Sequence, residues 1–384
     1  MKRREFIAAA AATLFSTRLY AAAATPRFLL VFLRGGYDAA NLLVPASPFY
    51  YESRPTIAIA REELLAVDGA WGLHPALRES VHPLYEARQA AFVPFAGTGD
   101  LSRSHFETQD SIELSLGEGR RAYGSGFMNR LAAVLGAVAK PISFTARLPV
   151  AFRGEAAVAN LALGAPRLPR IDARQSELIA SMYKGSSLGE QVSEGFATRE
   201  QVMRELGDEM QAASRNAVNP RGFQAQARRI ARLMRADYRV GFVDVGGWDT
   251  HVGEGGAAGY LALRLEELGA GLAALADEMG PAWRETVVVV LSEFGRTFRE
   301  NGNRGTDHGH GSVYWVLGGA VRGGRVAGEQ VKLARETLFQ DRDYPVLNEY
   351  RELLGGLFAR LYGLDAGRVA RIFPGKSPRD LKLL

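Results

Sequence analysis

Five apolar runs punctuate the chain. The first, Arg27 to Leu33, reads Arg-Phe-Leu-Leu-Val-Phe-Leu between Pro26 and Gly35-Gly36. The others are Ala91 to Ala96, Val240 to Val245, Thr286 to Leu291 and Val313 to Leu317. A short run with no polar alternation is the pattern of a strand covered on both faces. Between these runs, apolar residues recur at helical spacing over Phe127 to Val138, Thr198 to Ala213, Phe223 to Ala236, Ala258 to Glu278 and Leu347 to Tyr362. Buried strands alternating with amphipathic helices predict an α/β fold with a mainly parallel sheet. In such sheets ligands gather beyond the carboxyl ends of the strands, which directs attention to the residues that follow each run.

Residues 185 to 222 are polar and helical in pattern. No Pro-, Gly- or Ser-rich linker divides the chain. One domain over residues 25–384, with a helical insertion around 173–236, is therefore expected.

The first 24 residues stand apart. Met1, Lys2, Arg3, Arg4 and Glu5 precede an Ala-rich apolar stretch, and small residues follow at Ala21 to Ala24. A charged start, an apolar stretch of about ten residues and small residues at the end describe a cleavable export signal, and the stretch falls short of the roughly 20 apolar residues of a membrane span. Arg3-Arg4 before Glu5-Phe6 resembles the twin-arginine signal. Export by the twin-arginine machinery, to the periplasm or beyond, is the expectation.

That segment changes the charge picture. The whole chain carries 47 Lys and Arg against 42 Asp and Glu, a net charge of +5, and +2 remains once residues 1–24 are set aside. A balance so near neutral leaves no nucleic-acid footprint. With 47% hydrophobic and 23% charged residues the composition is that of a globular protein, and its 43 Gly show no repeat. The chain has no Cys, so disulfides, thiolate metal sites and cysteine nucleophiles are excluded. Any chemistry must come from oxygen and nitrogen groups.

Those groups cluster after the apolar runs. The first run is followed by Arg34-Gly35-Gly36-Tyr37-Asp38, where paired glycines allow a tight turn and Asp38 is either a ligand at the strand end or a helix cap. The second leads to Ser102-Arg103-Ser104-His105-Phe106-Glu107. Ser104 there is a nucleophile at a helix start or an N-cap partnered by Glu107, and Ser102 is the second candidate. After the third run come Gly246-Gly247-Trp248-Asp249-Thr250-His251, whose carboxylate and imidazole can face one ion. The fourth gives Ser292-Glu293-Phe294-Gly295-Arg296, a metal ligand beside an anion clamp. Ahead of the fifth lie Gly305-Thr306-Asp307-His308-Gly309-His310-Gly311, a His-x-His that packing does not demand. His251, His308 and His310 are three of only six His; His105 makes a fourth, while His74 and His82, each followed by Pro, read as turn or helix-start residues. Asp38, Asp249, His251, Glu293, Asp307, His308 and His310 together suit zinc, manganese, calcium or another divalent ion, singly or as a pair.

These motifs, with the twin-arginine start, resemble the exported bacterial family catalogued as domain of unknown function 1501. That family is similar in turn to a distant branch of the alkaline phosphatase and sulfatase superfamily. The resemblance covers essentially the whole chain after the signal. It implies an alkaline-phosphatase-like, three-layer α/β/α fold. By position it implies Asp38 as the first metal ligand, Ser104 or Ser102 as nucleophile beside His105, and Asp249, His251, Glu293 and His308 or His310 as later ligands. Where the superfamily often has Asp-His, this chain has Glu293-Phe294, and the motif of true sulfatases is missing. The expected function is a metal-dependent hydrolase of phosphate or sulfate esters, small or polymeric, with Arg296 stabilising the reacting anion. The alternatives are a non-catalytic exported protein that binds a metal or glycan, and a sugar-phosphate isomerase or mutase.

Overall fold

The computed structural model describes residues 26–117, 122–163, 215 and 217–384. The expected signal segment and the helical pattern over Thr198 to Ala213 lie outside the described residues. Twelve strands follow in chain order: β1 (Arg27–Leu33), β2 (Leu43–Pro45), β3 (Leu65–Ala66), β4 (Trp71–Leu73), β5 (Ala90–Gly97), β6 (Pro141–Ser143), β7 (Ala159–Asn160), β8 (Val240–Val245), β9 (Thr286–Ser292), β10 (Ser312–Leu317), β11 (Arg325–Val326) and β12 (Asn348–Glu349). Nine form one sheet in the order β11-β5-β10-β9-β1-β8-β6-β7, with β12 also paired to β5. The strands β2, β4 and β3 make a small separate sheet.

The sequence pattern explains this arrangement. Strand β1 runs parallel to β8 on one side and β9 on the other, with Leu30 opposite Phe242 and Val289. Its residues alternate between two cores. Leu29, Val31 and Leu33 join one with Phe223, Ile230, Leu265 and Leu272, while Phe28, Leu30 and Phe32 join the other with Phe127, Leu131, Leu354 and Phe358. A strand with a core on each face has to be apolar at every position. Helices Phe223–Ala236 and Tyr260–Met279 cover one face, and Phe127–Leu135 and Tyr350–Tyr362 the other, giving three α/β/α layers. In Phe223–Ala236 the buried residues Phe223, Ala227, Ile230, Ala231 and Met234 form the inward stripe.

Two features escaped the pattern. Strand β10 is antiparallel to both β5 and β9, so the sheet is mixed at one end. Periodicity reports burial and carries no strand direction. The two- and three-residue strands are also too short to leave a periodic trace.

Candidate metal centre

The loops after β5, β8 and β9, and the loop into β10, meet at one point. His105 opens the helix His105–Leu114 after β5; Asp249 and His251 lie in the loop after β8; His308 precedes β10. His105 Nε2 lies 2.9 Å from His308 Nε2, and His251 Nε2 lies 3.1 Å from the same atom. Asp249 Oδ1 is 2.9 Å from His251 Nε2 and 3.3 Å from His308 Nε2, and Asp249 Oδ2 is 3.6 Å from His105 Nε2. One donor atom from each of His105, Asp249 and His308 falls within 4.8 Å of the others.

The outer nitrogens explain what the inner ones can do. His105 Nδ1 is 2.8 Å from Glu293 Oε1, His251 Nδ1 is 3.3 Å from Asp307 Oδ1, and His308 Nδ1 is 3.0 Å from the Arg103 carbonyl. Ionised carboxylates and carbonyls only accept, so each Nδ1 carries the hydrogen. In the neutral ring each Nε2 is then a bare lone pair, and three of these face one another and the Asp249 carboxylate. Asp249 Oδ2 is buried with no hydrogen-bond partner. Three nitrogens and a carboxylate packed together, with one oxygen unsatisfied, form a donor set that can hold a divalent ion.

In the ion-free chain a proton takes that part. Burial lowers the pKa of His105, but hydrogen bonds and charges from Asp249 and Glu293 outweigh it and push the value up to about 9. Burial likewise works against the Asp249 carboxylate. The neighbouring His105, His251 and His308 rings and the Arg296 charge prevail and hold its pKa far below the usual range. His308 is shifted down, chiefly by burial, which favours its neutral form.

Glu293, expected as a ligand, faces His105 from the far side. Its Oε1 accepts from the Gly35 amide, Gln109 Nε2 and His105 Nδ1, each at 2.8 Å, and Ser292 Oγ donates to Oε2 at 2.9 Å. Burial works against this carboxylate, but the hydrogen bond and charge of His105 and the bond from Gln109 prevail and hold its pKa down at about 2. Gly35 can approach because it has no side chain: at its φ of +124° an added Cβ would stand 2.9 Å from the Asp249 amide nitrogen. Gln109 accepts from Arg34 Nη1 at 2.9 Å, and Arg34 also binds Asp244 and Glu113, so a buried charge cluster fixes the helix that carries His105.

Asp38 is not brought to the three imidazoles. It caps the helix Ala39–Leu42, and its two oxygens are taken by Arg54 Nη1 and Nη2, so the carboxylate already has its cation. Beside it Glu254 is fully buried, and burial next to Asp38 pushes its pKa well up. His310 also stays apart. Its ring packs against Phe339 at a tilt of 41° with centroids 4.9 Å apart, and burial lowers its pKa to about 4. Of His308 and His310, only His308 is held by the Arg103 carbonyl. Asp307 is half-exposed and orients His251, with Asn301 Nδ2 donating to it at 3.0 Å.

Ser104 is the N-cap of His105–Leu114, but its hydroxyl makes no capping bond, so the expected pairing with Glu107 is not formed. Ser102 is exposed, and its hydroxyl donates to Asp100 Oδ1 at 2.6 Å. Arg296 Nη2 donates to Asp249 Oδ1; its side chain is completely buried, and Nε and Nη1 have no partner. His74 caps the turn Pro75–Leu77 and His82 lies in the helix Val81–Glu86, as their Pro neighbours led one to expect.

The family model described as "Protein of unknown function (DUF1501)" matches residues 25–373, and the chain belongs to that family. No curated protein matches it in sequence. Two solved structures align with most of it. Ps i-CgsB in complex with k-i-k-neocarrahexaose shares 9% identity at a TM-score of 0.38, covering 90% of this chain and 74% of its own. BT1596, a 2-O GAG sulfatase, shares 9% identity at a TM-score of 0.38, covering 92% and 76%.

Proposed function

With membership of that family as the premise, we propose that this protein is an exported, metal-dependent hydrolase of phosphate or sulfate esters, with one ion held by His105, Asp249, His251 and His308. The observation that carries this reading is the convergence of three imidazole Nε2 atoms, each with its Nδ1 hydrogen already committed, on a carboxylate with an unsatisfied oxygen. Three nitrogens and one carboxylate favour zinc or manganese over calcium, which takes six to eight oxygen ligands. Asp38, neutralised by Arg54, is not a ligand in this reading, which limits the centre to a single ion. A divalent ion there supplies Lewis acidity to the ester oxygen.

The chain's own groups do the rest. His251 and His308 keep side-chain exposures of 17% and 18% against 3% for His105, so a substrate reaches the centre from their side. Ser104, next to His105 at the positive end of a ten-residue helix, has a hydroxyl free of a capping bond. Its oxygen bonds to phosphorus or sulfur while the alcohol leaves with the hydroxyl proton; water then restores Ser104 as the acid departs. Arg296 acts by holding Asp249, because its buried guanidinium is closed to a substrate. The purified mature protein is expected to carry a stoichiometric divalent ion and to hydrolyse aryl phosphates or sulfates. Asp249→Ala and His308→Ala should lose both properties, with turnover falling at least a hundredfold. Hydrolysis that persists in both variants would sink the proposal.

A second reading, an exported metal-holding protein without turnover that binds an anionic glycan, draws on one observation. Arg296, the expected anion clamp, is sealed from solvent, and Arg103 is committed to Asp343 at 2.7 Å. A stoichiometric ion with no turnover of either ester, but saturable binding of an anionic polysaccharide, would select it.

A further inference from the structure

Glu254 lies in the long loop between β8 and the helix Tyr260–Met279 and contacts none of the four ligands named above. It is fully buried. A single oxygen of it, Oε2, accepts hydrogen bonds from Thr250 Oγ1 and Thr306 Oγ1, both at 2.8 Å. Thr250 stands between Asp249 and His251. Thr306 stands two residues before His308, beside the Asp307 that orients His251. One buried oxygen therefore ties together the two loops that supply three of the four ligands. The backbone follows the same seam: the Thr306 amide donates to the Thr250 carbonyl at 3.0 Å and the Glu254 amide to the Arg304 carbonyl at 2.9 Å. The other side of Glu254 rests on Asp38, whose charge is met by Arg54.

We infer that Glu254 is the positioning residue of the metal centre, a carboxyl clamp that sets the separation of the Asp249–His251 and Thr306–His308 loops and thereby the fit of the ion. This inference rests on the metal reading given above. The mechanism is geometric. Among the described residues neither threonine hydroxyl has another acceptor, so removing their common one leaves two buried hydroxyls unsatisfied and leaves the loops to be spaced by backbone bonds alone on that side. Outer groups of this kind typically govern metal affinity by 10- to 100-fold.

The test is a titration of ion-free full-length mature protein with Zn²⁺ and with Co²⁺, reading affinity and the visible Co²⁺ spectrum, alongside the melting temperature of the ion-free form. Glu254→Ala is expected to bind about 10- to 100-fold more weakly with an altered Co²⁺ spectrum. Glu254→Gln keeps the acceptor and a donor toward Asp38, and should bind within about threefold of wild type with the wild-type spectrum. Wild-type affinity in Glu254→Ala, or Glu254→Gln as weak as Glu254→Ala, overturns the inference. Should Glu254→Ala fail to fold, Thr306→Val carries the test: a loss of about tenfold supports the clamp, and an unchanged affinity refutes it. A wild-type protein that binds neither ion would instead refute the metal reading itself, so the two failures are told apart.

Discussion

At the scale of single residues, the candidate centre is set by which nitrogen of each imidazole holds the hydrogen. Glu293, Asp307 and the Arg103 carbonyl fix all three rings the same way, and the inner lone pairs follow. This has a pH signature. In the ion-free chain His105 titrates at about 9 against an ordinary 6.5, so its contribution to stability is fully present below about pH 6.5 and is lost as pH rises through 9. With an ion bound the ring is neutral throughout, and that loss disappears. Melting curves between pH 6 and 10, with chelator and with saturating Zn²⁺, are expected to diverge in slope. Glu293→Gln removes one of the carboxylates that raise His105, so its ion-free decline, starting from the same pH of about 6.5, should be smaller and end at lower pH. Parallel curves for all three samples would refute this account. The sequence located these residues but did not assign their tasks. Strand ends identify where Asp249, His251, Glu293 and His308 stand; nothing in spacing tells that Glu293 reaches His105 and not an ion, or that Asp38 is consumed by Arg54, sixteen residues away. His105, read as a companion of the serines, is a ligand in the proposed centre.

At the scale of elements, the centre depends on loops pressed closer than side chains permit. An added Cβ on Gly305 would stand 2.4 Å from the His251 carbonyl oxygen and 2.7 Å from that of Thr250. Real contacts of that kind do not occur, so Gly305→Ala must separate the two ligand loops. We expect it to weaken metal binding at least tenfold and to cost about 1–3 kcal/mol in denaturant unfolding, by the same route as overpacking a core. An alanine variant with wild-type affinity would show that the contact is slack. The long buried strands and the helices Phe223–Ala236 and Tyr260–Met279 were legible because burial writes itself into apolar spacing. The mixed direction of β10 and the short strands β6, β7, β11 and β12 were not, since pairing partners are tertiary information.

At the scale of the whole molecule, a sheet with β1 at its middle gathers ligand loops from distant parts of the chain. Among the described residues no helix is long and apolar enough to cross a membrane. Export of this folded body by the twin-arginine route predicts that replacing Arg3 and Arg4 by Lys leaves the protein inside the cell, as fractionation and blotting would report. Export unimpaired by the double replacement would rule that route out.

The spread of the ligands carries a consequence for timing. His105 and His308 are 203 residues apart in sequence and 2.9 Å apart in space. A growing chain has no centre until residue 308 has been made and β8, β9 and β10 have found their neighbours around β1. Contacts of such long range form late, because loop closure must precede them. Ion binding at the proposed centre is therefore expected to report completed folding of the chain around β1.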